Sequence, residues 1–199
     1  MEKIEKKEIQ EQRMRGYFIE ATKSLIQSEG VRSVSVRNIA DQAGYSFATL
    51  YNYFKDVKVL IFECVKIFQE ECETFVMDKV EAKPAGIPRI KAITKAYVNY
   101  FMEYPGIFDL FFVEKLGSIG NPQQMGLAIY SFLNYLCDSD WNAVRSQGKY
   151  SEQQIESIQK RLNYISAGML LFYMNRLQPS SYAEFQSNLD NQLVLIFDN

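Results

Sequence analysis

A chain of 199 residues, 47% hydrophobic and with a net charge of −2, fits one compact unit or two small domains sharing a junction, with ample apolar material for a core. It contains no histidine, which removes the commonest catalytic base and metal ligand and the side chain that titrates nearest neutral pH. Its three cysteines, Cys64, Cys72 and Cys137, form no motif, and an odd count without a secretory signal points to a reducing compartment.

The elements read as helices throughout. The first seven residues are charged and expected to fray or to extend the first helix. From about Glu8 to Glu29 the apolar positions Ile9, Phe18, Ala21, Leu25 and Ile26 mark that helix, and Gly30 closes it. The N-terminal run MEKIEKKEIQEQRMR is too charged for a signal peptide. A second helix opens at Ser35, whose hydroxyl is suited to accept an orphan backbone N–H. Val36, Ile39, Ala40 and Ala43 follow at the spacing of a short amphipathic stripe, and Gly44 suits the left-handed position that ends it. Ser46 caps a third helix in which Leu50 and Phe54 face inward and Phe47, Thr49, Tyr51, Asn52 and Tyr53 occupy the remaining surface. The small Ala40 and Ala43 let these two helices cross closely. An ordinary helical hairpin would show the same pattern, so periodicity alone does not assign a role.

Asp56 caps a long fourth helix carrying Leu60, Ile61, Val65, Phe68, Phe75 and Val76. The segment Lys83-Pro84-Ala85-Gly86-Ile87-Pro88 is the clearest break, because proline cannot continue a helix and biases its predecessor away from it. A fifth helix follows from about Pro88 to Tyr104, and a sixth from Pro105 to near Leu116. Gly117 to Asn121 read as a loop, with Asn121 as cap and Pro122 at the first position of a seventh helix. That helix is expected to break or bend near Asp138 to Asp140 and to end at Gly148. Ser151 with Gln154 and Ser181 with Glu184 have capping-box spacing and start the eighth and ninth helices. No strand, internal repeat or low-complexity segment stands out. No apolar run approaches the roughly 20 residues that span a bilayer, so the expectation is a cytoplasmic protein.

The run Ser35-Val36-Arg37-Asn38-Ile39-Ala40, then Ala43-Gly44-Tyr45-Ser46, then Ala48-Thr49-Leu50-Tyr51-Asn52-Tyr53-Phe54 resembles the DNA-binding signature of the TetR family of bacterial transcriptional regulators. The resemblance covers roughly Ala21 to Leu60. Three residues depart from it. Tyr45 stands where the family usually has Val, Ala48 where many members have Gly, and Val57 where a Lys usually contacts phosphate, with Lys55 and Lys58 on either side. The resemblance implies an all-α chain of about nine helices. A helix-turn-helix domain over 1–58 is followed by a ligand-binding and dimerisation domain over 59–199. Phe47, Ala48, Thr49 and Tyr51 then lie toward base edges at the start of the recognition helix. Ser35, Asn52, Tyr53 and Lys58 position phosphates, Arg37 serves either purpose, and Ser46 caps the helix that reads the groove. The charge division is a supporting hint only: residues 1–58 hold ten Lys or Arg against eight Asp or Glu, and the rest hold twelve against sixteen.

Twenty-one of the 28 aromatic residues follow residue 58, which makes that part the place to look for an apolar cavity. Any one of these rings is better explained as core. A ligand pocket is mostly apolar with a few orienting polar groups, and tyrosine supplies both. Tyr97, Tyr100, Phe101, Phe108, Phe112, Tyr130 and Tyr135 are the candidates, chosen by region and chemistry. The family implies an inducer bound among these helices and a homodimer through the last two helices, which would match a near-palindromic double-stranded DNA operator. In the eighth helix Ile155, Ile158, Leu162, Ile165, Met169, Phe172 and Tyr173 form an apolar stripe, and in the ninth Tyr182, Phe185, Leu189, Leu193 and Ile196 do.

Two other classes compete with this reading. An enzyme is not expected, since the chain has no Gly-rich nucleotide loop, no Ser/His/Asp set and no metal cluster, and neither a metal nor a cofactor is implied. A helical small-molecule-binding or scaffold protein without a DNA role would leave the third helix unexplained. The reading is therefore a ligand-responsive DNA-binding regulator, a repressor released from its operator by a small hydrophobic or aromatic inducer.

Overall fold

In a computed structural model, which describes residues 2–114 and 122–198, the chain is all helix. Ten α-helices are present among the described residues: α1 (Glu2–Glu29), α2 (Val36–Ala43), α3 (Phe47–Tyr53), α4 (Val57–Val80), α5 (Ile87–Glu103), α6 (Pro105–Phe108), α7 (Pro122–Leu136), α8 (Asp138–Ser146), α9 (Glu152–Met174) and α10 (Tyr182–Phe197). A 3₁₀ turn at Val31–Ser33 joins α1 to α2.

By compactness the chain forms two units, Met1–Gln69 with Tyr104–Gly126, and Glu70–Glu103 with Leu127–Asn199. The first unit is built around Phe18, Ala21, Leu25, Ile39, Leu50, Phe54 and Leu60, drawn from α1 to α4. In this unit α6 packs on the end of α1. A Cβ on Gly106 would collide with the backbone carbonyl of Ile26, so glycine is required there for close approach. Arg32 and Glu114 form an ion pair at 2.6 Å.

In the second unit Asp140, only 1% exposed, joins α8 to the start of α5. Its carboxylate accepts from Gly86 N–H at 2.7 Å and from Arg89 Nε at 2.9 Å. That satisfies both a buried charge and an orphan donor before α5. Phe185, Leu189, Leu193 and Ile196 of α10 and Ile155, Ile158 and Leu162 of α9 are all buried.

Four expectations change in detail. The first helix begins at Glu2 rather than near Glu8. The sixth is α-helical only to Phe108 and then widens into a π turn over Asp109–Val113; Leu116 and the loop and cap at Gly117 to Asn121 lie outside the described residues. The seventh is interrupted at Cys137, giving α7 and α8. Ser181 does accept from Glu184 N–H, but the Glu184 carboxylate reaches Ser180 N–H at 3.0 Å and its hydroxyl at 2.9 Å, so the box is displaced by one residue.

Candidate nucleic-acid interface

Local chemistry sets the shape of the α2–α3 pair. Ser35 Oγ accepts from Asn38 N–H and starts α2. Gly44 takes φ 74° and stops it, letting the Tyr45 N–H return to Ala40 O at 2.9 Å. Ser46 Oγ then accepts from Thr49 N–H and also bonds the Thr49 hydroxyl at 2.9 Å. Leu50 is fully buried and Phe54 1% exposed, as their spacing predicts.

With Leu50 fixed inward, the opposite face of α3 presents Ala48 and Asn52, flanked by Tyr51. Phe47 is 64% and Tyr51 51% exposed. These are large rings that a folded domain ordinarily buries, held out on a helix that buries one residue. Ser35, Arg37, Ser46 and Lys58 are also exposed, and Thr49 is half-buried. Arg37 is loosely paired with Asp41 at 3.8 Å. Tyr53 turns inward instead, half-buried with its ring 6.1 Å from Phe18. Val57 packs against the core of the first unit, while Lys55 and Lys58 on either side are exposed.

Residues 18–64 match the family model for bacterial regulatory proteins of the tetR family. That segment, 47 of the 199 residues, carries the likeness in sequence. The fold extends the likeness over almost the whole chain. A putative TetR family regulator from Shewanella sp. PV-4 is 15% identical with a TM-score of 0.68, over 90% of this chain and 95% of that one. A TetR regulator from Rhodococcus sp. RHA1 is 14% identical with a TM-score of 0.63, over 95% and 98%. FadR from Bacillus subtilis in complex with stearoyl-CoA is 16% identical with a TM-score of 0.66, over 90% and 96%. No curated protein sequence matches the chain.

The seven candidate ligand residues are drawn from both compact units. In the second unit, Tyr97 and Phe101 meet edge-on at 4.9 Å and Tyr100 meets Phe101 at 5.3 Å. Phe75 and Phe132 complete the cluster. Burial pushes the Tyr97 hydroxyl well above the usual phenol range, so it stays protonated and able to donate. Tyr135 stacks on Phe132 from outside, with its hydroxyl 3.3 Å from both Glu73 oxygens. Tyr130 is exposed. Phe108 and Phe112 pair with each other at 5.3 Å in the first unit. Among the described residues no group of acidic, Cys or His side chains is arranged to hold a metal ion, and no helix is long and apolar enough to cross a membrane.

On α9 and α10 the expected stripes divide. Leu189 and its neighbours face the unit's own core, while Tyr164, Leu171, Phe172, Val194 and Leu195 are exposed. Tyr164, Ile165, Gly168, Met169, Phe172, Asn188 and Gln192 border a groove of about 520 Å³.

Two residues near α3 escaped the sequence reading. Arg15 and Tyr17 of α1 lie in a charged tract where nothing marks one residue from the next. Arg15 donates from Nη1 to Tyr53 O at 2.9 Å, and its guanidinium lies 4.1 Å from the centre of the Phe54 ring. The Tyr17 ring lies 5.9 Å from that of Tyr45. The unusual Tyr45 was the available signal, since a ring in a tight turn needs a packing partner.

Proposed function

We propose that this protein is a homodimeric, ligand-responsive repressor that reads a near-palindromic operator through α3 and is released by a small hydrophobic or aromatic inducer. The observation that carries the DNA reading is the open face of α3, with Phe47, Ala48, Tyr51 and Asn52 exposed opposite the buried Leu50. Phe47, Ala48, Thr49 and Tyr51 are the proposed base-edge contacts. Ser35, Asn52, Tyr53 and Lys58 are the proposed phosphate contacts, with Arg37 serving either, and Ser46 sets the entry angle of the helix. The functional division falls at 58/59, where the reading motif ends, although α4 itself continues through both compact units.

Assembly through α9 and α10 is supported by the large apolar side chains exposed there, Phe172 and Leu195 among them, and by the adjoining groove. A two-fold axis would place the paired α3 helices for half-sites about 34–36 Å apart, or a multiple of that. The aromatic cluster around Tyr97, Tyr100 and Phe101 supports an apolar effector, and the stearoyl-CoA held by the similarly folded FadR is of compatible chemistry at its acyl end. Effector binding moves α4 and so changes the separation of the two reading helices. It acts only through unequal affinity for the two states.

The test is selection of bound duplexes from random DNA, followed by affinity measurements with Tyr51→Ala and Thr49→Ala. A selected palindrome whose preferred bases change in Thr49→Ala supports the reading. Binding unaltered by Tyr51→Ala would sink it. A thermal-shift screen of apolar and aromatic metabolites, repeated with operator present, tests the inducer.

A further inference from the structure

We propose that Arg15 is a positioning residue for DNA reading, locking the C-terminal end of α3 so that α1 sets the direction in which Tyr51 and Asn52 leave the protein. This rests on α3 being the reading helix. Seven residues are far too few for a helix stable by itself. Leu50 is the buried residue within α3, and one inward side chain does not fix rotation about the helix axis or its tilt. The ends must supply that.

At the C-terminal end the last carbonyls lack intrahelical donors. Phe54 N–H satisfies Leu50 O at 2.9 Å. Tyr53 O receives the Arg15 guanidinium, a charge-assisted bond at the negative end of a helix. The same guanidinium lies over Phe54, itself 1% exposed, so the cation–π contact is partly desolvated and stronger than a surface one. A planar fork is needed to stack and donate together, which lysine cannot do. At the other end the Tyr45 ring rests on Tyr17 and Phe18, at 5.9 and 5.7 Å. Helix α1 thus grips both ends of α3, and its own placement is fixed by Phe18, Ala21 and Leu25 in the core.

Loss of such a grip has a distinctive signature. Non-specific attraction to phosphates needs little orientation, whereas base reading needs the helix direction held. The experiment uses the full chain, its selected duplex and a scrambled duplex, with binding followed by fluorescence anisotropy at several salt concentrations and folding followed by melting. Arg15→Met is expected to lose about tenfold on the selected duplex and under about threefold on the scrambled one, with the salt slope unchanged. Arg15→Lys should fall between. Phe54→Leu, which keeps an apolar core residue but removes the ring under the guanidinium, should move in the same direction as Arg15→Met. Wild-type affinity for the selected duplex in folded Arg15→Met overturns the proposal. So does a parallel loss on both duplexes with a slope smaller by about one, which would make Arg15 a phosphate ligand. Should Arg15→Met fail to fold, Arg15→Lys and Phe54→Leu are read by the same criteria. A wild-type protein that selects no sequence would instead overturn the assignment of α3, and this shows before any variant is made.

Discussion

Thr49 sits at the edge of the open face of α3 with its hydroxyl committed to Ser46, so its substitution has two effects that must be separated. Thr49→Ala should alter which bases are preferred. Ser46→Ala, which removes the cap and frees the Thr49 hydroxyl while keeping the Thr49 methyl group, should weaken binding and lower stability by about 1 kcal/mol. Lys58, exposed in the first turn of α4, should behave differently again: Lys58→Ala is expected to weaken all duplexes alike and to reduce the salt slope by about one. Asp140 is a buried carboxylate of the second unit. Asp140→Ala would leave Arg89 and the Gly86 N–H without their shared partner, and denaturant unfolding should show a loss of about 3 kcal/mol. The thiols are a quieter case. Burial pushes those of Cys72 and Cys137 well above the ordinary thiol range, and Cys64 is buried as well. The reactive species is the thiolate. The folded protein should therefore show no fast-reacting thiol toward a disulfide reagent at about pH 8, and three after denaturation, a difference read by absorbance.

Helices α2 and α3 were legible because their signals are local: two serine caps, a left-handed glycine and one apolar repeat act within a few residues of where they appear. The interruption at Cys137 was legible only in part. The acidic cluster marked it, but what holds it is Asp140 reaching residues more than fifty positions away, and no local pattern reports that. The π turn at Asp109–Val113 carries no composition signal at all, since Leu110, Phe111 and Phe112 would suit an α-helix equally. The effector candidates fared similarly: periodicity identified rings, yet their grouping depends on which helices meet. The same difficulty governs α9 and α10, where an apolar stripe does not say whether it meets its own unit or another molecule. Leu189, an apparent interface residue, is fully buried, so Leu189→Glu should unfold the protein and say nothing about assembly. Phe172→Glu, at a site 54% exposed, should leave the melting of a monomer intact. It should shift light scattering from dimer toward monomer and, by uncoupling the two half-sites, reduce operator affinity by about a hundredfold. A Phe172→Glu protein that remains dimeric would place the interface elsewhere.

At the scale of the whole chain, the compact units do not follow chain order. Residues 104–114 and 122–126 return to the unit that holds α2 and α3, a topology that chain order does not reveal. This gives the Gly106 seat a mechanical meaning. Where helices usually meet, side chains fill the gap, and their rotamers absorb small displacements as slack. Here backbone rests on backbone, with no room even for a methyl group between Gly106 and Ile26. Gly106→Ala should therefore lower stability by about 2 kcal/mol, as overpacking does, measurable by chemical denaturation. The joint has no backlash: a shift of the short helix at Pro105–Phe108 has nothing compressible to spend itself on. The contact falls in the last turn of α1, which the 3₁₀ turn at Val31–Ser33 joins to the serine that starts α2.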